Sequence, residues 1–279
     1  MNRFDLIGKT ALITGGAGFL ATACHGAALI EAGAKIILTD WHEEKVKEKA
    51  QELGDKYGKE VLCYKMDVCN KEEINKVVND IYSKGLQIDI LVNNAARNPK
   101  MSKTNQSITP ESRFEVMTEQ YFHDGMDAST LGVFLVTQAV SNMMLNHPGQ
   151  NKGVILNIGS DLSVIVSDNR LYEKEGLSQE HQAVKSITYS MSKFALLGFT
   201  RYLGVYFSNR GIRVNMLSPS AVWNEDIPED FVNKLTDKIP INRMSTVDDY
   251  KAAIVFLCSP YNSYMIGQNL LIDGGKTIW

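Results

Sequence analysis

Cysteine is scarce. Only Cys24, Cys63, Cys69 and Cys258 occur in 279 residues, and none stands in a CxxC pair. That usage argues against a disulfide framework and fits a reducing cytoplasm, where this chain is expected to reside. The five histidines (His25, His42, His123, His147 and His181) show neither HxxxH nor HxH spacing, so no metal site is expected. No apolar run approaches the ~18 residues of a membrane helix. The start, Met1-Asn2-Arg3-Phe4-Asp5, leads straight into an expected strand, without the basic and apolar regions of a signal peptide. Blocks of like charge are absent and the net charge is −3, which makes nucleic acid and anionic membrane poor partners. No repeat, low-complexity tract or Pro/Gly/Ser linker divides residues 1–279, so one domain is expected.

What is present is a regular alternation. Hydrophobic residues make up 44% of the chain, enough for a substantial core. Short β-branched runs at Thr10–Thr14, Lys35–Thr39, Val61–Lys65, Ile88–Val92, Val154–Ile158, Arg213–Leu217 and Asn269–Ile272 read as strands. Helical patterns lie between them at Phe19–Ala32, Glu43–Lys56, Lys71–Lys84, Glu111–Asn146, Ala183–Ser208 and Val247–Cys258. Nearly continuous apolar strands alternating with helices predict an α/β fold, a doubly wound parallel sheet covered on both faces. Two segments break the pattern: a polar, charged insertion at about 161–188, and a stretch at about 220–244 holding Trp223, Pro228, Pro240 and an amphipathic piece, Glu229–Leu235. Loops this long in a compact domain are usually functional or disordered, and both follow the carboxyl ends of strands, where open α/β sheets bind ligands.

The first strand ends in Thr14-Gly15-Gly16-Ala17-Gly18-Phe19-Leu20-Ala21. Gly15 permits a tight turn, and Gly18 lets the backbone approach a pyrophosphate drawn to the helix N-terminus; Phe19 and Leu20 belong to the same turn. Alone, this is a Gly-rich βα turn and little more. Asp40 strengthens it, ending the second strand 25 residues after Gly15. A carboxylate there accepts hydrogen bonds from ribose hydroxyls and repels a 2′-phosphate. Trp41 follows, with neither Arg nor Lys adjacent, so NAD is favoured over NADP. Asp67-Val68 closes the third strand, where a carboxylate can hold the adenine amine. Asn93-Asn94-Ala95-Ala96 closes the fourth, with small residues that let the backbone pass beside a cofactor. Each of these also reads as an ordinary loop cap.

Tyr189 and Lys193 stand four residues apart, which on a helix puts phenol and ammonium on one face. A cation held there stabilises phenolate and makes a general base. Such a pair arises readily by chance; its place after the fifth strand, facing the expected crevice, is the stronger evidence. Ser160 ends that strand, and its hydroxyl can hold a substrate oxygen while Tyr189 takes the proton.

In order, the Gly-rich turn, Asp40, Asp67-Val68, Asn93-Asn94-Ala95-Ala96, Ser160, Tyr189/Lys193, Asn215-Met216-Leu217-Ser218-Pro219 and Ile266–Gly275 resemble the short-chain dehydrogenase/reductase family over nearly the whole chain. The resemblance implies a seven-stranded Rossmann-type sheet and nicotinamide-dependent alcohol–carbonyl interconversion. It assigns Tyr189 as acid/base, Ser160 as the group orienting the substrate oxygen, and Lys193 to the Tyr pKa and the nicotinamide ribose. Pro219 and Val222 would lie near the carboxamide. It also implies a homotetramer or homodimer built on two long helices, here Glu111–Asn146 and Ala183–Ser208. Departures accompany it. The glycine pattern, with Ala21 at the third position, is nearer the extended branch of the family. Ala96 replaces a glycine, and Asn224 stands where threonine is common. Ser129 stands where the family's relay asparagine is expected; a serine there can still bind a water. Ser160 and Tyr189 lie 29 residues apart, a longer separation than the family's, because of the insertion.

The insertion suggests a polar substrate. Arg170, Tyr172, His181 and Lys185 could reach it, with Arg97 after the Asn-Asn-Ala-Ala turn and Trp223 from the second loop. Donors of this density suit a sugar, sugar phosphate or acidic sugar better than a steroid or acyl chain. A solvated loop or a subunit contact is the competing reading of the insertion. It also resembles, more loosely, a bacterial branch of the family associated with flagellin modification and nonulosonic-acid sugars. Two other functions stay open. One is a nucleotide-binding sensor without catalysis, which Ser129 and Ala96 support. The other is an enzyme using NAD transiently, as an epimerase or dehydratase does, which the glycine pattern supports.

Overall fold

The computed structural model describes residues 3–99, 101–103 and 108–279. Met1 and Asn2, read above as leading into the first strand, lie outside the described residues. The described residues form a seven-stranded, all-parallel sheet of order β3-β2-β1-β4-β5-β6-β7. The strands are β1 Thr10–Thr14, β2 Lys35–Asp40, β3 Val61–Lys65, β4 Ile90–Asn93, β5 Gly153–Ile158, β6 Ile212–Pro219 and β7 Asn269–Ile272. Strand order reverses between β1 and β4. There the crossovers leave to opposite sides and open a crevice at the carboxyl ends. Registers such as Thr14↔Thr39 and Asn93↔Asn157 bring Asp40, Asn94 and Ser160 to that one edge.

The helices are α1 Ala27–Glu31, α2 Glu43–Tyr57, α3 Lys71–Ser83, α4 Glu119–Asp127, α5 Leu131–Met144, α6 Ile187–Phe207, α7 Glu229–Thr236 and α8 Asp248–Cys258. Two apolar cores cover the sheet. One contains Ile13, Leu38, Leu53 and Ile254; the other Leu12, Ile37, Ile74, Val140 and Ile155. Residues adjacent in a strand enter opposite cores, as Leu12 and Ile13 do, which is why the strands read as continuously apolar.

Two expected helices differ. Glu111–Asn146 is a short 3₁₀ turn at Pro110–Ser112 followed by α4 and α5, broken at Ala128–Thr130. Thr118 caps α4 by accepting from the Tyr121 N–H. Gly132, just past the break, lies so close to Val68 that a Cβ would meet Val68 Cγ2 at 2.6 Å. The expected Phe19–Ala32 helix opens as a π-helical turn, Ala21–Gly26, ahead of α1. The wider turn buries Ala21, Cys24, His25 and Gly26 together. The close packing expected at Ala21 is made at Gly26, whose added Cβ would meet Leu53 Cδ2 at 2.8 Å.

Beneath the crevice runs a buried polar ladder. Asn93 Nδ2 donates to Thr137 Oγ1 and Asn157 Oδ1, each at 2.9 Å, and Asn157 Nδ2 donates to Thr200 Oγ1 at 2.9 Å. It ties β4, β5, α5 and α6 together with no solvent to replace a lost partner. Asn157→Ala is therefore expected to cost about 1–3 kcal/mol by stranding Asn93 and Thr200. Urea denaturation measures it, and a loss no larger than that of an exposed substitution would mean the ladder is not stabilising.

Candidate active site

A cavity of about 1160 Å³ opens along the carboxyl ends of the strands. Its wall includes Gly15, Gly18, Phe19, Leu20, Asp40 and Trp41 at one end and Ser160, Tyr189, Lys193, Pro219 and Val222 at the other, with Asp67, Val68, Asn94, Ala95 and Ala96 between. The cavity wall thus brings these residues together, while Asn93 lies beneath it in the buried ladder.

The Gly-rich turn is shaped by contact as well as conformation. Gly15 adopts φ +65°, and a Cβ there would meet Ala95 Cα at 2.9 Å. Asn94 Nδ2 donates to the carbonyls of Thr14 (2.9 Å) and Gly15 (3.2 Å), bracing the turn from the next strand. Asp40 is buried, yet its carboxylate accepts from the N–H groups of Ala17 (3.1 Å) and His42 (3.0 Å). These donors hold it at the cavity wall, where a diol could share its oxygens and a phosphate would meet its charge. Asp67 is similarly held, accepting from the Cys69 N–H at 2.9 Å. The glycines, the fixed carboxylate and the long cleft fit a dinucleotide.

At the far end, Ser186 caps α6 through the Thr188 N–H, so Tyr189 sits in the helix's first turn and Lys193 one turn later. Both are buried, at 8% and 4% exposure. Lys193 Nζ donates to the Ile158 carbonyl at 2.7 Å, which anchors α6 to the end of β5. Burial pushes Lys193 down to about 8. Burial raises the Tyr189 phenol well above its ordinary value, a hydrogen bond to Ser160 opposes this, and the nearby charge of Asp161 adds to the rise. Tyr189 is therefore raised, where lowering by Lys193 was expected, because desolvation disfavours phenolate. Lys185 also faces the phenol, its Nζ 4.2 Å from the ring centroid, and donates to Asn98 Oδ1 and the Pro99 carbonyl.

The structure places Arg97 and Tyr172 on the cavity wall, whereas Arg170, Trp223, His181 and Ser129 need correction. Arg170 lies outside the cavity wall, with 75% of its side chain exposed and a bond to Asp168 at 2.7 Å. Trp223 is half exposed and also off the wall, its backbone N–H bonded to Ser245. His181 is exposed and lies off the wall as well. Arg97 does line the cavity, but pairs with Asp124 at 2.6 Å. Tyr172 lines it too, buried against Phe231 at 5.4 Å between ring centroids. Ser129, in the break between α4 and α5, is buried off the wall, and its Oγ has no hydrogen-bond partner.

Three residues at this site escaped the sequence reading. Asp161 bonds Ser160; Lys276, three residues from the end of the chain, bonds Asp161; and His25 contacts Asn94 Oδ1 at 3.2 Å through Nε2. Asp161 is adjacent to Ser160 in sequence, but Lys276 and His25 reach the site only through the fold.

With this geometry in place, comparisons with known proteins decide the family. A family model described as enoyl-(acyl carrier protein) reductase matches residues 21–277. The chain belongs to the short-chain dehydrogenase/reductase family of oxidoreductases. It is 29% identical to a 3-oxoacyl-acyl-carrier-protein reductase of Aquifex aeolicus, covering 97% of this chain and 98% of that protein. It is likewise 29% identical to an NAD-dependent glycerol dehydrogenase of Listeria innocua, covering 99% and 96%. Among solved structures, a gluconate 5-dehydrogenase of Burkholderia cenocepacia in complex with NADP and tartrate matches with TM-score 0.79 and 27% identity, covering 99% and 97%. A short-chain dehydrogenase of Leptospira borgpetersenii with bound NAD+ matches with TM-score 0.81 and 28% identity, covering 100% and 96%. Relatives of this family thus bind NAD or NADP. These matches lend no support to the looser resemblance to flagellin-modification proteins. No described helix is long and apolar enough to cross a membrane.

His25 is fully buried and its Nδ1 has no partner, and burial lowers its pKa from 6.5 to about 4. The unfolded chain therefore binds a proton between those values that the folded chain excludes, and stability falls as pH drops from about 6.5 to 4, by on the order of 3 kcal/mol. His25→Asn is expected to flatten that acid decline, read from urea midpoints across the pH range; an unchanged slope would place the acid sensitivity elsewhere.

Proposed function

We propose that this protein is an NAD-dependent dehydrogenase of a small, polar, polyol-like alcohol, working as one domain. The observation that carries the reading is the unbroken cavity wall from the Asp40 carboxylate to Tyr189. Beyond Tyr189 the wall combines polar groups, Ser160, Asp161, Lys185, Ser220, Asn224, Asp226 and Lys276, with an apolar part that includes Leu171, Tyr172, Phe231 and Leu235. Buried hydroxyls, carboxylates and amines reward a ligand with hydroxyls of its own and penalise an acyl chain. The Listeria glycerol dehydrogenase and the Burkholderia gluconate dehydrogenase point the same way.

Asp40 and the Gly15–Gly18 turn would hold the adenosine half, and Lys193 the nicotinamide ribose. Bound NAD supplies the hydride acceptor. Ser160 and Tyr189 hold the substrate hydroxyl, and Tyr189 as phenolate takes its proton; in the reverse direction the phenol returns it. Because burial holds Tyr189 as phenol at neutral pH, oxidation should accelerate as pH rises. A relay through Ser129 would require a water at its unpaired Oγ. The insertion at 161–188 and the segment at 220–244 act as the substrate wall. Exposed Ile187, Met191, Phe194, Tyr202 and Val205 along α6 are suited to pairing copies of the chain.

Titration calorimetry with each dinucleotide, followed by reduced-nicotinamide absorbance over a polyol panel, tests the reading. NADH formation on a panel member supports it; binding without turnover would favour a sensor, and a tightly co-purifying nucleotide with no net NADH would favour transient use. Tyr189→Phe should lower kcat by at least about 10³-fold with NAD affinity nearly unchanged, and retained turnover would remove Tyr189 from the chemistry. Asp40→Ser should shift the NAD/NADP preference toward NADP by about tenfold or more through loss of charge repulsion. An unchanged ratio would mean that Asp40 does not face the ribose.

A further inference from the structure

Asp161 follows Ser160 and is nearly buried, at 4% exposure. Its Oδ1 accepts from Ser160 Oγ at 2.8 Å and the Leu162 N–H at 2.8 Å. Its Oδ2 accepts from Ser220 Oγ at 3.0 Å and Lys276 Nζ at 2.7 Å. Each oxygen thus receives two donors, which is the pattern of a carboxylate and leaves no direction for an acid proton. Lys276 comes from the turn after β7, and its side chain is only 13% exposed. A buried carboxylate and ammonium in contact offset each other, and removing one leaves the other uncompensated.

A serine hydroxyl has one proton. Asp161 can only accept, so the proton of Ser160 in this bond points at Asp161. Ser160 Oγ in turn accepts from the Leu162 N–H at 3.2 Å. We infer that Asp161 and Lys276 are a positioning pair for Ser160: the carboxylate accepts the serine's hydrogen bond, the lysine offsets the carboxylate's charge, and together they fix the Ser160 hydroxyl beside Tyr189. The inference rests on the dehydrogenase reading above and adds residues to it.

The pair also sets the charge near the acid/base. The groups that face Tyr189 are Lys193 and Lys185 beside its ring, Asp161 from the turn after β5, and Tyr172 from the insertion. Lys276 acts through Asp161, and His25 lies behind Lys193. Arg97, Asp124, Asp127 and Asp226 line the same cavity. Of these, Asp161 disfavours the phenolate, and Lys276 offsets Asp161.

The two partners should therefore act on Tyr189 in opposite directions. The test is the pH profile of kcat/KM for polyol oxidation with NAD. Asp161→Asn should move the rising limb to lower pH, and Lys276→Met should move it to higher pH, each by about one unit. Lys276→Arg should restore the wild-type limb, and NAD affinity should hardly change in any variant. A purely structural role would reduce activity without opposite shifts. Limbs that stay put, or move together, overturn the pair while leaving the dehydrogenase reading intact. Should Asp161→Asn fail to fold, the contrast between Lys276→Met and Lys276→Arg decides. A wild type that oxidises no polyol overturns the functional reading, and the pair's role falls with it.

Discussion

One buried lysine organises the site. Lys193 reaches from the second turn of α6 to the Ile158 carbonyl, and that bond fixes the helix against the end of β5. Ser160 is two residues beyond Ile158, and Tyr189 is one turn before Lys193, so a single hydrogen bond sets the relation of all three. The cost is desolvation of an ammonium, repaid only in part by a neutral carbonyl, and the lowered pKa of Lys193 records it. Tyr189 is pushed the opposite way by the same burial. Burial thus favours the neutral form of both groups.

The sheet carries this arrangement because its interior offers no alternative. Asn93 and Asn157 are buried on adjacent strands in register, and their amides must find partners inside the protein. They find them in Thr137 of α5 and Thr200 of α6. Packing of apolar faces alone would let a helix slide; a ladder of fixed donors and acceptors does not. The polar residues beneath the crevice therefore position α6 as surely as the apolar cores do.

The sheet was legible in the sequence because strands buried on both faces leave uninterrupted apolar runs, and Asn269–Ile272 falls where its run predicts. Tyr189, Lys193, Asp40 and Ser160 were legible because each sits at a strand end or on a helix face that local patterning defines. The break between α4 and α5 was not, since nothing at Ala128–Thr130 is a helix breaker. Lys276 was invisible for another reason: its partner lies 115 residues away, and only the parallel order of β5, β6 and β7 brings the chain's end back to Ser160.

The insertion shows how a polar stretch can be structural. Its charges suggested hands reaching for substrate, and Arg170 turned out to bond its neighbour Asp168 in solvent. The informative residues were the two apolar ones beside it. Leu171 and Tyr172 are buried with Phe231 and Leu235 of α7, Ile239 and Met244 in a small core of their own. Neither long loop has enough apolar surface to order itself, and each supplies the face the other needs. Periodicity cannot reveal such a core, because its halves lie in separate irregular segments. Its inner side is cavity wall, with Leu171, Tyr172, Phe231 and Leu235 opposite the polar groups around Ser160. A ligand seated there meets donors and acceptors as well as an apolar surface, so the core that orders the two loops also shapes the wall of the cavity.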